Sequence, residues 1–283
     1  MNEDRIPIIV GAAQLTQKDV DPAAALEPLA MMAETSRLAA ADAGATEALL
    51  ARADCVGVVN ILGHDYGNAP RALAERVGAS PTTELYTAIG GNSPQFLVNE
   101  VAARIADGRV GLALLSGAEA LATAARARRG RIDLAWTPAS DGPRPETIGA
   151  DKPGTNAHES THGLQMPIQV YPLFENALRA RTGRSPETHL GALGELYAGF
   201  SRIAADNPYA WFRSPRTAEE ISMVTPSNRM IGFPYPKLMN AIMDVDQAAS
   251  LVMTSVATAR ALGIPEDSWV YLLGAADAHD HWY

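Results

Sequence analysis

The stretch Leu85–Glu119, LYTAIGGNSPQFLVNEVAARIADGRVGLALLSGAE, constrains the fold more than any other. A short apolar run ends in Gly90-Gly91, a capped helix follows, and a second apolar run stops at Ser116-Gly117. Ser93 suits the cap, because its hydroxyl can accept from an early free N–H. Pro94 suits the first turn, where its missing donor costs nothing. Leu97, Val98, Val101, Ala102 and Ile105 place one apolar stripe on the helix. Glu100 and Arg104 form an i,i+4 pair, and Gly108 stops the helix. Val110–Leu115 is short and continuously apolar, which marks a buried parallel strand. Such a strand–turn–helix unit aims a helix N-terminus at whatever sits above the sheet.

The flanking sequence repeats this rhythm. Strands are expected at Pro7–Ala13, Cys55–Leu62 and Glu84–Thr87, with helices at 28–44 and 70–77. The order β-α-β-α-β-α-β calls for a mostly parallel sheet with helices on its faces. From Ala120 to Asn240 the alternation breaks, in an excursion too long for an ordinary connection. It holds an irregular run at 141–167, two helices at 171–182 and 186–206, and the apolar anchors Trp136, Tyr171, Phe174, Tyr197, Phe200, Trp211 and Phe212. The rhythm resumes with an Ala-rich helix over 246–262 and a strand over 269–274.

Net charge is −9 over 283 residues, which argues against a general binder of nucleic-acid backbone. No apolar run approaches the roughly 18 residues of a membrane span, and no basic-then-apolar leader opens the chain, so a cytoplasmic protein is expected. With one cysteine, Cys55, no internal disulfide can form.

Neither a G-x-S-x-G elbow, a G-x-G-x-x-G loop nor a Walker A loop is present. His158-Glu159-Ser160-Thr161-His162 matches H-E-x-x-H, the pattern of a zinc peptidase, which requires both histidines on one helical face. Gly154, Gly163 and Pro167 flank it, and Ser160 and Thr161 are poor helix formers, so it reads as a polar surface loop with no metal expected. Cys55, the sole thiol, opens an apolar strand and reads as structural. His64 lies in a Gly-rich loop. His279 and His281 fall near the carboxyl end of the last strand, where α/β sites gather, and equally in a solvated tail. Arg126, Arg128, Arg129 and Arg131 cluster as a solvated basic loop or a phosphate contact.

Several segments together resemble the thiolase superfamily, in particular the sterol-carrier-protein-type thiolases and the actinobacterial acetyl-CoA acetyltransferase-like group. They are IIVGAAQ, GGNSPQFLVNEVAARIADG with LALLSGAEA, NPYAWFR, NRMIGFPYPKLMN and MDVDQAASLVMTS. The resemblance covers nearly the whole chain. It implies one five-stranded, mostly parallel sheet flanked by helices, formed by residues 1–119 and 241–283, with an inserted loop domain at 120–240. It matches the first of a thiolase's two similar halves. The second half, which carries a catalytic histidine and a second cysteine, is missing from the match.

In thiolases a cysteine at the turn attacks an acyl-CoA thioester. Counted back from Gln95, that position falls at Gly90, or with small shifts at Gly91 or Asn92. None is cysteine, and Ser93 is the only hydroxyl at the turn. The resemblance therefore implies acyl-CoA chemistry in lipid or steroid side-chain metabolism, with the coenzyme A thioester as substrate and no other cofactor, and without a competent thiolase nucleophile. Two alternatives stand beside it: an inactive CoA-ester-binding or interaction subunit, and a cysteine-independent retro-aldolase working with an OB-fold partner. For the second, Tyr and His residues supply candidate bases with no ranking among them. Ligand contact is expected at Gly90, Gly91, Asn92 and Ser93, and CoA contact at Arg229 and Lys237. A homodimer is expected through the edge strand at Leu85–Thr87, and an exposed face where a second half would pack should favour association.

Overall fold

The computed structural model describes residues 3–45 and 47–278. In chain order its elements are β1 (Pro7–Thr16), α1 (Pro28–Asp42), β2 (Cys55–Val58), α2 (Ala69–Val77), β3 (Thr83–Thr87), α3 (Ser93–Ala106), β4 (Leu112–Ala120), α4 (Leu121–Gly130) and β5 (Glu146–Ile148). Then follow α5 (Ala157–Thr161), α6 (Pro167–Arg181), α7 (Pro186–Asp206), α8 (Ala218–Ser222), β6 (Met230–Gly232), β7 (Tyr235–Pro236), β8 (Asp246–Ser255), α9 (Val256–Leu262) and β9 (Val270–Tyr271). The chain divides into two compact units. One runs up to Asp151 and resumes at Asp244, and the other is Lys152–Met243. The expected insertion, 120–240, spans the second unit together with α4 and β5, which belong to the first.

The first unit is built on one sheet in the order β5-β3-β2-β4-β8-β1-β9. The β5–β3, β3–β2 and β2–β4 pairings are parallel, while β4–β8, β8–β1 and β1–β9 are antiparallel. Five strands therefore share one direction, and β8 and β9 oppose it. The sheet has seven strands where five were expected. The extra members are β5, inside the run read as irregular loop, and β8, inside the run read as a helix over 246–262.

The β8 correction has a physical cause. Its Ala-rich sequence carries good helix propensity, but a chain wedged between two strands takes its conformation from the ladder. It pairs from Asp246 to Ser255, with Thr254 opposite both Ile8 and Leu112. Only Val256–Leu262 is helical, capped by Ser255, whose Oγ accepts from Thr258 N at 3.2 Å. The last strand is likewise shorter than expected, two residues against β1.

The dimer edge at Leu85–Thr87 is also corrected. Leu85, Tyr86 and Thr87 pair with Glu146, Thr147 and Ile148, so β5 covers that side of β3. Arg104 of α3 pins the added strand. It is buried, bonds Glu100 at 2.8 Å, and grips both carboxylate oxygens of Glu146 at 2.6 and 3.0 Å. The expected Glu100–Arg104 pair thus extends into a triad, with the fork-on-fork geometry that makes guanidinium–carboxylate bonds strong.

Residues alternate between two cores. On one face α1, α2 and α9 bury Met31, Met32, Leu73 and Ala259 against Ile8, Val10, Val56 and Leu114. On the other, α3 buries Leu97, Val101 and Ile105 against Cys55, Leu85, Leu115 and Met253. Small residues set the spacing. A Cβ on Gly11 would lie 2.1 Å from the Ala39 carbonyl oxygen, so α1 rests directly on the β1 backbone. Thr35 and Ser116 each bond the Ser250 hydroxyl at 2.7 Å, which satisfies three buried hydroxyls between α1 and the sheet. Buried Asp246 accepts from Thr123 N at 3.0 Å and Thr123 Oγ1 at 2.6 Å, fixing the start of α4 to β8.

The second unit has a small core of Leu193, Ala198, Ile221 and Met239, with Tyr197 and Tyr235 beside it. Three expected anchors do not enter it: Tyr171, Phe174 and Phe200 are each at least 60% exposed. They lie exposed on α6 and α7 with Leu178, Leu196 and Ile203; α7 turns Leu190, Leu193 and Tyr197 to the core instead, while α6 gives it no residue.

Candidate functional site

The turn between β3 and α3 stands at the carboxyl ends of the parallel strands. Ile89 through Asn92 are exposed, while Ser93 is buried. Ala88 N donates to Ile148 O at 2.8 Å and Ile89 N to Asp151 Oδ1 at 2.7 Å, so the chain enters the turn anchored on both sides. Helix α3 begins at Ser93, and its N-cap, Asn92, makes no side-chain cap bond. The expected Ser93 cap is corrected accordingly. Being the first residue inside the helix, Ser93 turns its Oγ back to donate to Ala88 O at 2.7 Å. That hydroxyl closes the turn and is not presented to solvent. Gly90 and Gly91 differ in the room they leave. A Cβ on Gly90 would meet Asn92 Oδ1 at 2.8 Å, whereas one on Gly91 has no atom within 4 Å.

A cavity of about 460 Å³ on the α3 side of the sheet begins at Pro94, directly after this turn, and none of Gly90, Gly91, Asn92 or Ser93 lines it. Pro94, Leu97 and Val98 of α3 wall one side, Leu115 and Gly117 of β4 and Ala249 and Leu251 of β8 form the floor, and Val59 lies alongside. Asn60, Glu119, Gln247 and Thr16 supply its polar groups. Apolar walls with few polar groups are the usual make-up of a small-molecule site.

Glu119 is the ionisable group of this cavity, and no catalytic sequence motif marks it. Its Oε1 accepts from Leu62 N at 2.5 Å and its Oε2 from Gly63 N at 3.1 Å. Burial pushes its pKa above the ordinary glutamate value, and the two N–H bonds oppose that only in part. The signal available in the sequence was position: Ser116-Gly117-Ala118-Glu119 ends a parallel strand, where α/β sites gather.

The other candidates fall elsewhere. Cys55 is fully buried on β2, and burial pushes its thiol up to about 12, so it is inert at neutral pH. His64 bonds Thr137 O at 2.7 Å and packs edge-on against Tyr66 and Trp136, which makes it a pin for its loop. Arg126 and Arg128 lie on α4, with Arg131 as its left-handed cap at φ 54°, so the basic cluster is a helix end and not a loop. H-E-S-T-H does form a short helix, α5, against the loop expectation. Asn156 and Glu159 make a capping box there, each side chain bonding the other's N–H at 2.8 Å, and that outweighs poor propensity. Its glutamate is thereby committed to the cap. Among the described residues no group of three or more His, Cys, Asp or Glu could hold a metal ion. Arg229 and Lys237 belong to the second unit, where Lys237 N donates to Arg229 O at 2.9 Å and both residues are exposed. His279 and His281 lie outside the described residues. Among those described, no helix is long and apolar enough to cross a membrane.

Comparison with solved structures accounts for the architecture. A monomeric SCP2-thiolase-like protein type 1 from Mycobacterium smegmatis is 34% identical over 97% of this chain, with a TM-score of 0.77. The chain belongs to the thiolase superfamily. Within the superfamily it is of the SCP2 type, and it spans about half, 51%, of that relative's length. Two further structures share the fold at lower identity. An Ltp2-ChsH2(DUF35) aldolase matches at 18% identity over 91% of this chain and 58% of its own, with a TM-score of 0.59. The dimeric peroxisomal thiolase of Saccharomyces cerevisiae matches at 15% over 94% and 68%, with a TM-score of 0.57. No protein-family model matches the chain. No curated protein matches it either.

Proposed function

We propose that this thiolase-superfamily chain binds acyl-CoA thioesters and does not form the covalent acyl-enzyme of a thiolase. One observation carries the reading: the turn Gly90–Ser93 stands beside an apolar cavity at the head of α3 and offers no thiol and no free hydroxyl. An acyl chain suits the walls formed by Leu97, Val98, Leu115 and Leu251. The thioester carbonyl would lie at Gly90, Gly91 and Asn92, against the positive end of α3. Within the second unit, Arg229 and Lys237 are two exposed cations on adjoining backbone, a pair suited to the phosphates of a nucleotide such as coenzyme A. Isothermal titration with acetyl-CoA and with a bulky steroid-type acyl-CoA tests the reading, and absence of heat with both ligands overturns it.

A second reading rests on Glu119. In a carbon–carbon cleavage of a β-hydroxyacyl-CoA, a base takes the hydroxyl proton, the Cα–Cβ bond breaks to leave an aldehyde or ketone, and the electron pair passes into the thioester enolate, which is then protonated. No nucleophile is consumed. A carboxylate whose proton affinity is raised by burial, at the rim of an apolar cavity, can take and return that proton. The aldolase among the structural neighbours carries the name of a DUF35 protein beside its own. In this second reading the present chain works with an OB-fold partner subunit. Release of a carbonyl product from a β-hydroxyacyl-CoA, lost in Glu119→Gln, is the expected result.

A further inference from the structure

In the second unit three ionisable side chains meet at one point, His189 buried and Glu175 and Tyr235 half-buried. Glu175 of α6 takes a bond from His189 Nε2 of α7 at 2.7 Å through Oε1, and one from the Tyr235 hydroxyl of β7 through Oε2. His189 is 5% exposed, and its Nδ1 is buried with no partner. Tyr197 of α7 packs in the same cluster, and burial followed by the Glu175 charge pushes both tyrosines above the ordinary phenol value. The tyrosine protons therefore stay on at neutral pH.

This polar cluster is a costly way to fill a core. A buried charged group contributes less to stability than apolar side chains of the same volume, unless it specifies geometry. The element it touches needs such specification. The β6–β7 hairpin has only two paired positions, Met230 with Pro236 and Gly232 with Tyr235, too few to hold it in place alone. Its tip is pinned to α6, where Asn176 Nδ2 donates to Phe233 O at 2.9 Å and a Cβ on Gly232 would lie 2.9 Å from Ile168 O. Its base carries Arg229 and Lys237, neither of which has an ion-pair partner among the described residues.

We propose that Glu175 and His189 act through Tyr235 as a positioning relay, which holds the base of this hairpin in one place so that Arg229 and Lys237 present a fixed pair of cations to a nucleotide phosphate. The proposal rests on the acyl-CoA reading above for the identity of the phosphate, and on Tyr235–Glu175–His189 alone for the positioning.

Two readouts separate these. The first is titration of coenzyme A itself into wild type, Tyr235→Phe, His189→Leu and His189→Gln. The second is hydrogen exchange of the Lys237 amide, the donor to Arg229 O. Tyr235→Phe and His189→Leu should weaken coenzyme A about 3- to 10-fold and speed Lys237 exchange about 10-fold. His189→Gln, which keeps a donor towards Glu175, should stay within about twofold of wild type on both. If packing alone mattered, leucine would match or exceed glutamine, and that result overturns the relay, as does an unchanged Tyr235→Phe. Should wild type bind no coenzyme A, the phosphate identity falls. The relay is then judged on exchange alone, where accelerated Lys237 exchange in Tyr235→Phe supports it and equal exchange overturns it. Should His189→Leu fail to fold, Tyr235→Phe, which loses one oxygen and keeps its ring, decides on both readouts.

Discussion

The Ser93 hydroxyl donates to the Ala88 carbonyl at 2.7 Å, a bond between two buried residues that closes the exposed turn 89–92. The bond joins the end of β3 to the first residue of α3 and takes the only hydroxyl of the turn out of reach of a substrate. Its loss in Ser93→Ala should cost about 1 kcal/mol, the usual net contribution of one such bond. Acyl-CoA affinity should change less than about twofold. Chemical denaturation and titration of the same preparation read both quantities.

Gly91 offers the converse experiment. It has a negative φ and open space where a Cβ would stand. Gly91→Cys should fold as wild type does and place a thiol at the head of α3, where the helix end lowers thiol pKa below the ordinary value of about 8.5. A pH profile of alkylation checks this. Wild type should label slowly throughout, because Cys55 is buried and held protonated.

Gly11 tests the seat of α1. A methyl group there would collide with the Ala39 carbonyl, which is backbone and cannot turn aside. Gly11→Ala should destabilise by about 1–3 kcal/mol, as overpacking does. The midpoint of urea unfolding should fall, with its slope unchanged.

Acid should loosen β5 before the rest of the sheet. The Arg104 hydrogen bonds hold the Glu146 carboxyl below the usual glutamate range. A carboxylate with a depressed folded-state pKa adds stability that is complete above its unfolded value. That stability disappears as pH falls through the folded value. Amide protection of Thr147 and Ile148 should therefore drop between about pH 4.3 and lower values, while β4 stays protected. Glu146→Gln should abolish that pH step.

The sequence was legible where local and global signals agree. Helices α1, α2, α3 and α7 all follow from Pro in the first turn, with side-chain caps at α2 and α7, and the resemblance to thiolases was carried by segments spread across the chain. It misled where neighbours override composition. Residues 246–255 read as helix by alanine content, but β4 and β1 flank them on both sides. Three residues at 146–148 carry no periodicity of their own and become a strand through Arg104 on another element. Asn156 and Glu159 form a capping box that makes α5 helical, although their spacing was visible in the sequence. The turn at 90–93 was marked as a ligand site by the resemblance to thiolases, counted back from Gln95. Glu119 became visible only once β2 and β4 were side by side, since its partners Leu62 and Gly63 lie 57 and 56 residues away.

The most direct measurement is intact-protein mass spectrometry of the chain after incubation with acetyl-CoA, paired with calorimetry on the same sample. Measurable binding with no 42 Da acetyl adduct, in either wild type or Ser93→Ala, is the expected result, about 42 being the mass a transferred acetyl group adds through a nucleophile. An acetyl adduct that maps to residues 88–95 would contradict the absence of a turn nucleophile. No heat of binding with any acyl-CoA would contradict the acyl-CoA reading itself.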